Sequence, residues 1–461
     1  MKRVVIVGAG ISGLSIAYRL QESCPDIAIT VLEKNSRPGG TVWTERQDDF
    51  QVEVGPNGFL DNKPSTLNLC RALGLEDRLI PASEASGQNR YLWWNGKLEP
   101  LPRSLRSFLT TRLLSWRGKL RLLAERFVPR SVTELDESID AFVRRRAGRE
   151  SAEVLADALV TGIYAGDPKI LSLRACFPRL AKMEQEFGSV LRGMARGSEQ
   201  QKTNSAGNSS GRMWSFPEGL RLLIETLRNR LHSSPVCDIR VDALRPSCEV
   251  PPGWTVLGNG QWPTDAVILA CPAFEQAALL KALDAKLAEH IEAIAYNHVT
   301  VVALGFRQED IPRPVDGFGF IVPQRTRRDI LGVQWCSSIF PQRAPSGIAL
   351  LRAMCGGWNR PDIASWDDEQ FMHAVRAELR VSMGIEVAPV FQRIVRWERA
   401  IPQYRLGHLE NVSWIEERSR RYPGLFLAGN AYHGVSLNDC TEQAEKVSAK
   451  VASFLAPTNK E

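Results

Sequence analysis

The chain has 461 residues, of which 44% are hydrophobic and 24% are charged, and its 58 Lys and Arg residues outnumber 52 Asp and Glu residues to give a net charge of +6. These values are typical of a large folded protein and exclude a small disulfide-stabilised scaffold, a disordered chain and a membrane-embedded one. The charge excess is too small to indicate nucleic-acid binding, so we expect no nucleic-acid partner.

The spacing of cysteines and histidines indicates neither disulfides nor a metal site. The nine cysteines are odd in number and contain no CxxC pair, which indicates reduced thiols in a reducing compartment. The six histidines show neither HxH nor HExxH spacing, so we expect no metal. The longest apolar runs, 266–271 and 299–306, fall far below the roughly 18 residues of a membrane-spanning helix. We predict a cytoplasmic protein, with any membrane contact confined to the periphery of the inner face.

The first thirty residues predict a strand, a helix and a second strand. Residues 3–7 and 27–32 are apolar runs of strand length, and residues 11–23 carry apolar side chains at helical spacing. A βαβ unit of this length requires parallel strands and a right-handed crossover. We therefore predict an α/β fold with a doubly wound, Rossmann-like domain.

A glycine-rich turn joins the first predicted strand to the helix. Gly8 permits the tight turn, Gly10 lets backbone N–H groups approach a pyrophosphate, and Gly13 lets the helix pack on the strand. Glu33 ends the second strand, where a carboxylate accepts hydrogen bonds from ribose hydroxyls. The GxGxxG pattern alone is a weak signal, but this context predicts a dinucleotide site. The predicted residues of this part of the site are Gly8, Gly10, Ile11, Ser12, Gly13, Glu33 and Lys34.

A second pair of glycines favours a flavin over a nicotinamide dinucleotide. Arg37, Gly39, Gly40 and Thr41 belong to an Arg-Pro-Gly-Gly-Thr segment just after the glutamate, which offers another close backbone approach to an extended dinucleotide. The combination GxGxxG…E…RxGG resembles the FAD-binding superfamily of two-dinucleotide-binding flavoproteins that includes the amine oxidases and phytoene desaturases. The resemblance implies non-covalently bound FAD.

Residues 86–212 predict a mostly helical insert. Segment 104–130 is basic and amphipathic, and between residues 101 and 130 eight Lys and Arg residues face one acid, Glu125. Such a helix either lies in a membrane interface beside the pocket or packs on the core with a solvated basic face. Residues 196–212 are polar and rich in Gly, Ser and Asn, which predicts a mobile surface loop. Further helices are predicted over 132–146 and 151–160.

The following segments predict a return to α/β structure and then a second sheet. Helices are predicted over 219–231 and 367–381. Strands are predicted over 236–241, 254–257, 266–269, 300–305, 317–322, 330–335 and 348–354. We predict three parts: a discontinuous FAD-binding domain formed by 1–85, 213–285 and 406–461, the insert 86–212, and a mixed-sheet α+β substrate domain formed by 286–405.

The C-terminal segment predicts a second junction of strand, glycine and helix. Residues 422–430 form a strand that ends in Gly429 and Asn430, and Gly434, Val435 and Ser436 open the last helix. Taken alone, this junction could be an ordinary helix cap. Its return to the nucleotide domain favours a helix N-terminus directed at the electron-rich edge of a reduced flavin.

The whole set of motifs resembles the FAD-dependent protoporphyrinogen and coproporphyrinogen oxidases, within the flavin amine oxidase superfamily. The resemblance extends from residue 3 to the C-terminal helix, with gaps mainly at 105–155, 196–212 and 306–395. Its motifs are VEVGPNGF at 52–59, NRYL at 89–92 with GKL at 96–98, GIYAGDP at 162–168, GSVLRG at 188–193, IPQY at 401–404, GH at 407–408 and GN at 429–430.

The resemblance implies a six-electron oxidation of a porphyrinogen to a porphyrin in haem biosynthesis, with FAD as the oxidant and O₂ as the acceptor that regenerates it. Protoporphyrinogen IX is the preferred substrate and coproporphyrinogen III the alternative. The resemblance implies no side-chain nucleophile and no certain catalytic residue, and it leaves a homodimer open. It places Arg90 at a substrate propionate and Gly162 and Ala165 against the macrocycle. The remaining predicted FAD contacts are Gly55, Pro56, Asn57, Gly58, Val236, Gly429, Asn430, Gly434, Val435 and Ser436.

Two alternatives remain. A porphyrin-binding flavoprotein without turnover would keep every motif, and an amine or carotenoid oxidoreductase would share the N-terminal motifs alone. The amine oxidases generally place a lysine behind the flavin, and no lysine occurs between Lys286 and Lys446. This absence counts against amine oxidation. His408 and His433 lie within the family motifs, and we expect them to serve as hydrogen-bonding scaffold rather than as general bases.

Overall fold

The computed structural model describes residues 1–131, 135–203, 211–247 and 253–456, and of residues 197–203 it describes the backbone alone. The strands are β1 (Lys2–Val7), β2 (Ile27–Leu32), β3 (Thr44–Gln47), β4 (Phe50–Glu53), β5 (Phe59–Leu60), β6 (Ile80–Pro81), β7 (Arg90–Trp94), β8 (Lys97–Pro100), β9 (Met213–Ser215), β10 (Val241–Ser247), β11 (Gly253–Gly258), β12 (Gly260–Thr264), β13 (Ala266–Leu269), β14 (Val299–Arg307), β15 (Gly319–Ile321), β16 (Ile330–Trp335), β17 (Ile348–Gly356), β18 (Phe391–Trp397) and β19 (Leu425–Leu427).

The α-helices alternate with these strands in the two α/β parts and follow one another in the middle of the chain. They are α1 (Ile11–Ser23), α2 (Ser65–Ala72), α3 (Glu84–Gln88), α4 (Leu105–Thr110), α5 (Trp116–Leu123), α6 (Ile139–Ala147), α7 (Arg149–Ser151), α8 (Asp157–Tyr164), α9 (Leu173–Cys176), α10 (Pro178–Phe187), α11 (Val190–Thr203), α12 (Arg221–Arg230), α13 (Ala273–Leu280), α14 (Ala285–Glu292), α15 (Cys336–Ile339), α16 (Asp368–Met383), α17 (His408–Ser419) and α18 (Leu437–Leu455).

A four-stranded parallel sheet joins the two ends of the chain in the order β19-β13-β1-β2. On one face α1 and α18 pack together in a core that also includes α2 and α12. On the other face lie α13, α14, α17 and the antiparallel sheet β10-β11-β12. Because both faces of this parallel sheet are covered, its strands are mostly apolar. The predicted doubly wound α/β domain is therefore present.

A seven-stranded mixed sheet forms the second α/β part, in the order β18-β14-β17-β16-β15-β7-β8. Neighbouring strands are antiparallel except β15 and β7. One face packs on α16, through Phe371, Val375 and Leu379. A capping box formed by Asp367 and Gln370 starts α16, which matches the helix predicted from the sequence.

The hairpin β7–β8 departs from the predicted helical insert. These strands extend the seven-stranded sheet beyond β15, although the sequence analysis assigns residues 86–212 to the insert. Asn95 and Gly96 form the turn with φ values of +48° and +77°, as a two-residue type I′ hairpin requires. An Asn-Gly pair between two strand-like runs is a recognisable hairpin signal. The helical part of the insert therefore starts only after residue 100.

The helical region also differs from its prediction in detail. Segment 104–130 is not one helix, because Ser104 and Ser115 each cap a separate short helix, and a 3₁₀ turn follows over Ala124–Phe127. A π-helical turn over Ala152–Ala156 precedes α8 within the helix predicted over 151–160.

Residues 196–203 continue α11 and do not belong to the predicted loop 196–212; glutamine and lysine are good helix formers. Residues 204–210 of that loop, and 132–134 of the helix predicted over 132–146, lie outside the described residues. Within the described residues, no helix combines the length and the apolar character needed to cross a membrane.

Candidate functional site

The glycine turn after β1 has the geometry that its sequence predicts. Gly8 has a φ of +106°, and a Cβ there would lie 2.9 Å from the Cys271 nitrogen. A Cβ at Gly13 would overlap the carbonyl oxygen of Gly8, whereas a Cβ at Gly10 would meet nothing within 4 Å. Gly10 therefore borders open space at the start of α1, where the first N–H groups have no intrahelical acceptor. An anion fits this position, because the helix N-terminus carries partial positive charge.

Glu33 is buried beside the glycine turn at the end of β2. Its Oε2 accepts a hydrogen bond of 2.9 Å from the Ala9 N–H, and its Oε1 accepts one of 3.0 Å from the Asn35 N–H. Val236 continues the edge of β2, because its N–H donates to Val31 and its carbonyl accepts from the Glu33 N–H. Each carboxylate oxygen has two acceptor sites, so Glu33 retains capacity for a ribose hydroxyl.

The second glycine pair lies directly against the first turn. Gly39 donates a hydrogen bond of 2.8 Å to the Ala9 carbonyl and forms an isolated bridge with Gly10. Gly40 has a φ of +57°, and a Cβ there would lie 3.7 Å from the Gly10 Cα. Backbone from both motifs therefore surrounds one space, as an extended dinucleotide requires.

Two charged side chains of the predicted FAD site have partners within the protein. Lys34 Nζ lies 2.7 Å from Glu275 Oε1 in a surface ion pair. The Arg37 guanidinium stacks over Trp43 at 4.5 Å from the ring centroid and donates to the carbonyls of Pro38 and Gly40. Burial lowers the pKa of Arg37. The Lys34 side chain is thus engaged, so Lys34 could contact FAD only through its backbone. The Arg37 side chain stabilises the loop that contains Thr41.

Residues 55–58 form the next wall of the site. Gly55 fits only without a side chain, since a Cβ would overlap the Thr41 carbonyl, and at Gly58 a Cβ would lie 2.6 Å from the Trp214 carbonyl oxygen. Pro56 and Asn57 lie between them. Asn57 is 5% exposed, yet neither its Oδ1 nor its Nδ2 has a hydrogen-bond partner. A buried amide without partners is costly, so these atoms fit a ligand with polar groups.

The C-terminal junction completes the arrangement. Gly429 follows β19 with a φ of +109°, and Ser436 caps α18 in a capping box with Asp439. The hydroxyl of Tyr404 donates to the Asn430 carbonyl and accepts a hydrogen bond of 2.8 Å from the Gly434 N–H. This hydroxyl fixes the turn that leads to Val435, which packs against the helical region.

The two ends of the chain meet at one edge of the parallel sheet. The Ser12 hydroxyl in the first turn of α1 is hydrogen-bonded to the Cys440 thiol in the first turn of α18. Both helix N-termini therefore lie side by side, beyond the carboxyl ends of β1 and β19. This is the edge at which open α/β sheets bind their ligands. All the predicted FAD residues lie in the described part of the chain, and the Gly8, Gly39 and Gly434 turns converge there.

The predicted substrate contacts lie on one face of the seven-stranded sheet and on α8. Arg90 is exposed on β7, with its guanidinium 4.7 Å from the Phe318 ring centroid. Gly162 on α8 packs against the sheet, since a Cβ there would lie 2.8 Å from Ile321 Cδ1. Ala165 ends α8 in the left-handed region with a φ of +46°. Asn297 holds it there through a hydrogen bond of 2.9 Å to its carbonyl.

Ala165 is a buried packing point, whereas Gly162 is exposed beside Ile321, and the contact of both residues with a macrocycle stays a prediction. Leu159 and Ile163, on the same helix, are exposed large apolar side chains that the sequence analysis did not select. An α-helix places residues four apart on one face, so both flank Gly162. Their helical spacing is a signal that sequence reasoning could have used.

Sequence reasoning missed three polar side chains that hold the site. Arg352 on β17 donates to the Gly55 carbonyl, and Trp397 Nε1 donates over 2.7 Å to the Val54 carbonyl. Tyr404 orders the Gly434 turn, as described above. A single arginine inside the apolar run of β17 is the signal that could have identified Arg352. Tyr404 lies in the IPQY motif, but nothing in that motif indicates its contact with the Gly434 turn, and Trp397 carries no local signal, because its partner is distant in sequence.

Histidines and metal ligands play no visible role in this arrangement. His408 is buried and stacks on Tyr404, and its Nε2 lies 3.1 Å from the Tyr432 carbonyl oxygen. Burial lowers the pKa of His408 to about 4, so its ring is neutral near pH 7. His433 pairs with Glu416 at the surface. Across the ranges that the structure describes, no cluster of three or more His, Cys, Asp or Glu side chains could hold a metal ion.

Comparison with known proteins agrees with this geometry. Residues 11–452 match the family model of flavin containing amine oxidoreductases. The chain is 31% identical to the coproporphyrinogen III oxidase of Bacillus subtilis (strain 168), over 98% of both chains. It is also 31% identical to the protoporphyrinogen oxidase of Homo sapiens, again over 98% of both chains.

A crystal structure from Exiguobacterium sp. 255-15, provisionally named a protoporphyrinogen oxidase, superposes with a TM-score of 0.84 at 29% identity and covers 98% of both chains. The similarity spans the glycine turns, the mixed sheet and the helical region together. The chain therefore belongs to the flavin containing amine oxidoreductase family, in the group that includes the protoporphyrinogen and coproporphyrinogen III oxidases.

Proposed function

We propose that this protein is an oxidoreductase that converts a porphyrinogen to a porphyrin with non-covalently bound FAD, and that O₂ regenerates the oxidised cofactor. The observation that carries the proposal is the similarity over 98% of both chains to a coproporphyrinogen III oxidase and to a protoporphyrinogen oxidase. These names share one chemistry, the aromatisation of a tetrapyrrole. Fold alone would not support it, because the UDP-galactopyranose mutase structure has a TM-score of 0.75 at 15% identity.

The residues of the site fit FAD. The open space at Gly10, at the N-terminus of α1, would take the pyrophosphate, and Glu33 would accept hydrogen bonds from the adenosine ribose. The unpartnered amide of Asn57 and the N-terminus of α18 would face the isoalloxazine ring. When bound, FAD supplies the acceptance of a hydride equivalent, which no protein side chain can provide.

The overall reaction removes six electrons and six protons from the porphyrinogen in three two-electron steps. In each step one bridging carbon would give up a hydride equivalent, which bound FAD would accept, and the macrocycle would release one proton. Over the three steps four bridging C–H bonds and two pyrrole N–H bonds are broken, so one of the three protons comes from the fourth bridging carbon and two come from pyrrole nitrogens. One O₂ accepts the two electrons and two protons of each step and becomes hydrogen peroxide. The chain's residues need only hold the macrocycle in a water-poor slot and orient its bridging carbon.

The described side chains agree with a reaction that needs no protein nucleophile. Burial raises the pKa of the Cys440 thiol to about 11, which leaves it protonated and unreactive at neutral pH. His408 is held neutral by burial and is engaged with the Tyr432 carbonyl. We therefore assign no general base, and the absence of a certain catalytic residue stays a prediction.

The decisive experiment uses the purified full chain. It should be yellow, release FAD on denaturation, and lose its flavin absorbance when mixed with a porphyrinogen without air. With air, fluorescent porphyrin should form while O₂ is consumed. A yellow protein that is inert toward both protoporphyrinogen and coproporphyrinogen would reject the proposal. Tight porphyrin binding without flavin bleaching would instead favour the non-catalytic carrier.

We further propose that the basic segment 104–130 rests on an anionic membrane surface. Its exposed apolar side chains include Trp116, which is 65% exposed, and Phe127, which is 71% exposed. An arginine is adjacent to each of them in the sequence. Among the apolar side chains that recur at helical spacing in this segment, only Leu113 is buried. Apolar and basic groups together fit a lipid headgroup layer, where each contributes to binding. The other exposed apolar side chains are Leu105, Leu109, Leu120 and Leu123.

A homodimer stays a prediction.

A further inference from the structure

Three residues with polar side chains lie in register in one row across the seven-stranded sheet. Arg90 on β7 pairs directly with Gly319 on β15, Gly319 pairs with Gln334 on β16, and Gln334 pairs with Arg352 on β17. Directly paired residues of neighbouring strands place their side chains on the same face. Gly319 adds no side chain to the row. The two arginines therefore start three strand spacings apart, which is about 14 Å.

The row lies on the face of the sheet that is turned away from α16. The alternate positions Phe320, Val333 and Ala353 belong to the core that packs on α16. From the row itself, Arg352 reaches the Gly55 carbonyl of the 55–58 segment. In the next row on this face, Ile321 lies against α8 at Gly162. The row therefore lies on the face of the sheet that also contacts α8 and the 55–58 segment of the predicted FAD site.

Arg352 is buried without a counter-charge of its own. It is 4% exposed, and its guanidinium donates to the Gly55 carbonyl and, over 3.1 Å, to Gln334 Oε1. Its Nε has no partner, and among the described residues no carboxylate lies within ion-pair distance of it. The buried carboxylate of Glu53 is paired with Arg343 instead, at 3.1 Å.

Burying an arginine without a counter-charge is energetically unfavourable. A buried charge without a counter-ion costs several kcal/mol of folding free energy, roughly, even after relaxation. Two of its five N–H donors bind neutral acceptors, and three remain. Arg352 donates a hydrogen bond to the amide oxygen of Gln334. The amide nitrogen of Gln334 has no hydrogen-bond partner among the described residues. The group that best satisfies this set is a carboxylate, which can accept two parallel N–H bonds from one guanidinium.

We propose that Arg352, assisted by Gln334, is a second carboxylate-binding position, at the opposite end of the row from Arg90, and that the preferred substrate carries acid groups on opposite sides of the macrocycle. The proposal rests on the proposed function and deepens it. In protoporphyrinogen both propionates lie on adjacent rings, so one end of the row would engage them. Coproporphyrinogen has a propionate on every ring and can engage both ends. The sheet thus favours coproporphyrinogen, against the preference predicted from the sequence.

The test compares ligands that differ only in their acid groups. Coproporphyrin III, its tetramethyl ester and protoporphyrin IX are titrated, with fluorescence detection, into the FAD-loaded protein and into the Arg352→Gln variant. We expect the variant to bind coproporphyrin III about tenfold more weakly, the value of one lost charge-assisted contact. Binding of the ester and of protoporphyrin IX should change by less than about threefold. Arg352→Lys should recover part of the loss, because the charge is kept.

Controls separate this role from a structural one. Arg393→Gln removes a positive charge from the exposed strand β18 of the same sheet and should leave all three affinities unchanged. The flavin content of Arg352→Gln is measured first, and the porphyrin affinities are compared for FAD-loaded protein only, so that loss of the Gly55 hydrogen bond is separated from loss of carboxylate binding. An equal loss for the ester and the free acid would overturn the proposal, because Arg352 would then act only through Gly55.

A second variant guards against loss of folding. Gln334→Met keeps the volume and removes one donor, and we expect about threefold weaker binding of coproporphyrin III alone. If coproporphyrin III binding is unchanged both in this variant and in Arg352→Gln, the second position does not exist. Failure of the proposed function looks different, since the wild-type protein would then neither bind porphyrins nor oxidise either porphyrinogen.

Discussion

Glu53 and Arg343 form a fully buried ion pair, in which Arg343 Nη2 lies 3.1 Å from Glu53 Oε1. Glu53 ends β4, and it also accepts hydrogen bonds from the Leu220 N–H and the Thr44 hydroxyl. Arg343 lies on the connection to β17 and donates to the Phe216 carbonyl. The pair therefore joins the nucleotide-binding part to the seven-stranded sheet, directly behind Gly55.

Loss of Arg343 should be strongly destabilising. Arg343→Met leaves the Glu53 carboxylate buried without its counter-charge, and we expect the free energy of unfolding to fall by about 3–5 kcal/mol in urea denaturation. Adding Glu53→Gln to this variant should restore part of the loss. Arg393→Gln, which breaks the exposed pair with Glu45, should cost less than about 1 kcal/mol. A similar cost for both single variants would contradict this account of the interface.

Two glycines of the first turn should respond differently to an added methyl group. Gly10 has a φ of −71° and open space where its Cβ would lie, so Gly10→Ala should fold with unchanged stability. Its methyl group would occupy the proposed pyrophosphate position and weaken FAD binding by at least about tenfold in flavin titration. Gly13→Ala should instead lower the stability of the flavin-free protein, by about 1–3 kcal/mol, because its Cβ overlaps the Gly8 carbonyl. Normal FAD binding by Gly10→Ala would place the pyrophosphate elsewhere.

Arg90→Ala should affect substrate binding more than the chemical step. The guanidinium rests on Phe318 and donates over 3.3 Å to the Ser86 carbonyl, and no carboxylate among the described residues forms an ion pair with it. It is thus free to bind a propionate, in the substrate and in the transition state alike. We expect KM to rise about tenfold and kcat to change by less than about threefold in a steady-state fluorescence assay. An unchanged KM would remove Arg90 from the site.

His408 should make stability fall in mild acid without being a catalytic base. Burial lowers the pKa of His408 in the folded protein to about 4, against 6.5 for an exposed histidine. Between these values the unfolded chain binds the additional proton, so the free energy of unfolding falls as pH falls, by about 3 kcal/mol in total. His408→Gln should remove much of this dependence in denaturation experiments from pH 7.5 to 4.5. If the variant instead abolished flavin reduction at pH 7.5, His408 would be part of the chemistry.

The basic segment should bind anionic lipid. The full chain should sediment with phosphatidylcholine vesicles that contain phosphatidylglycerol, and less in high salt, because exposed charges are screened. Replacing both Trp116 and Phe127 by Ala should reduce vesicle binding several-fold without changing turnover in solution. Val381→Ala, which removes an exposed apolar side chain from α16, is the matched control. Equal binding by all three proteins would reject the membrane surface.

Much of the fold follows from local patterns. The strand over 27–32, the strand over 266–269 and the strand over 330–335 have the predicted bounds, because mostly apolar runs of that length are typical of strands inside a sheet. The hairpin β7–β8 and the broken segment 104–130 were not predicted. Their turns and caps are short, and a basic amphipathic pattern does not reveal where a helix is interrupted.

The glycine turns at Gly8–Gly13 and Gly39–Gly40, the acidic end of β2 and the Gly429 junction could be located from the sequence alone, because each is a short segment between a strand-like run and a helical one. Only the tertiary structure decided that Arg352 stands in one row with Arg90 and lies behind Gly55. Strand pairing depends on contacts between residues hundreds of positions apart, and a one-residue slip in register would turn the same arginine to the other face.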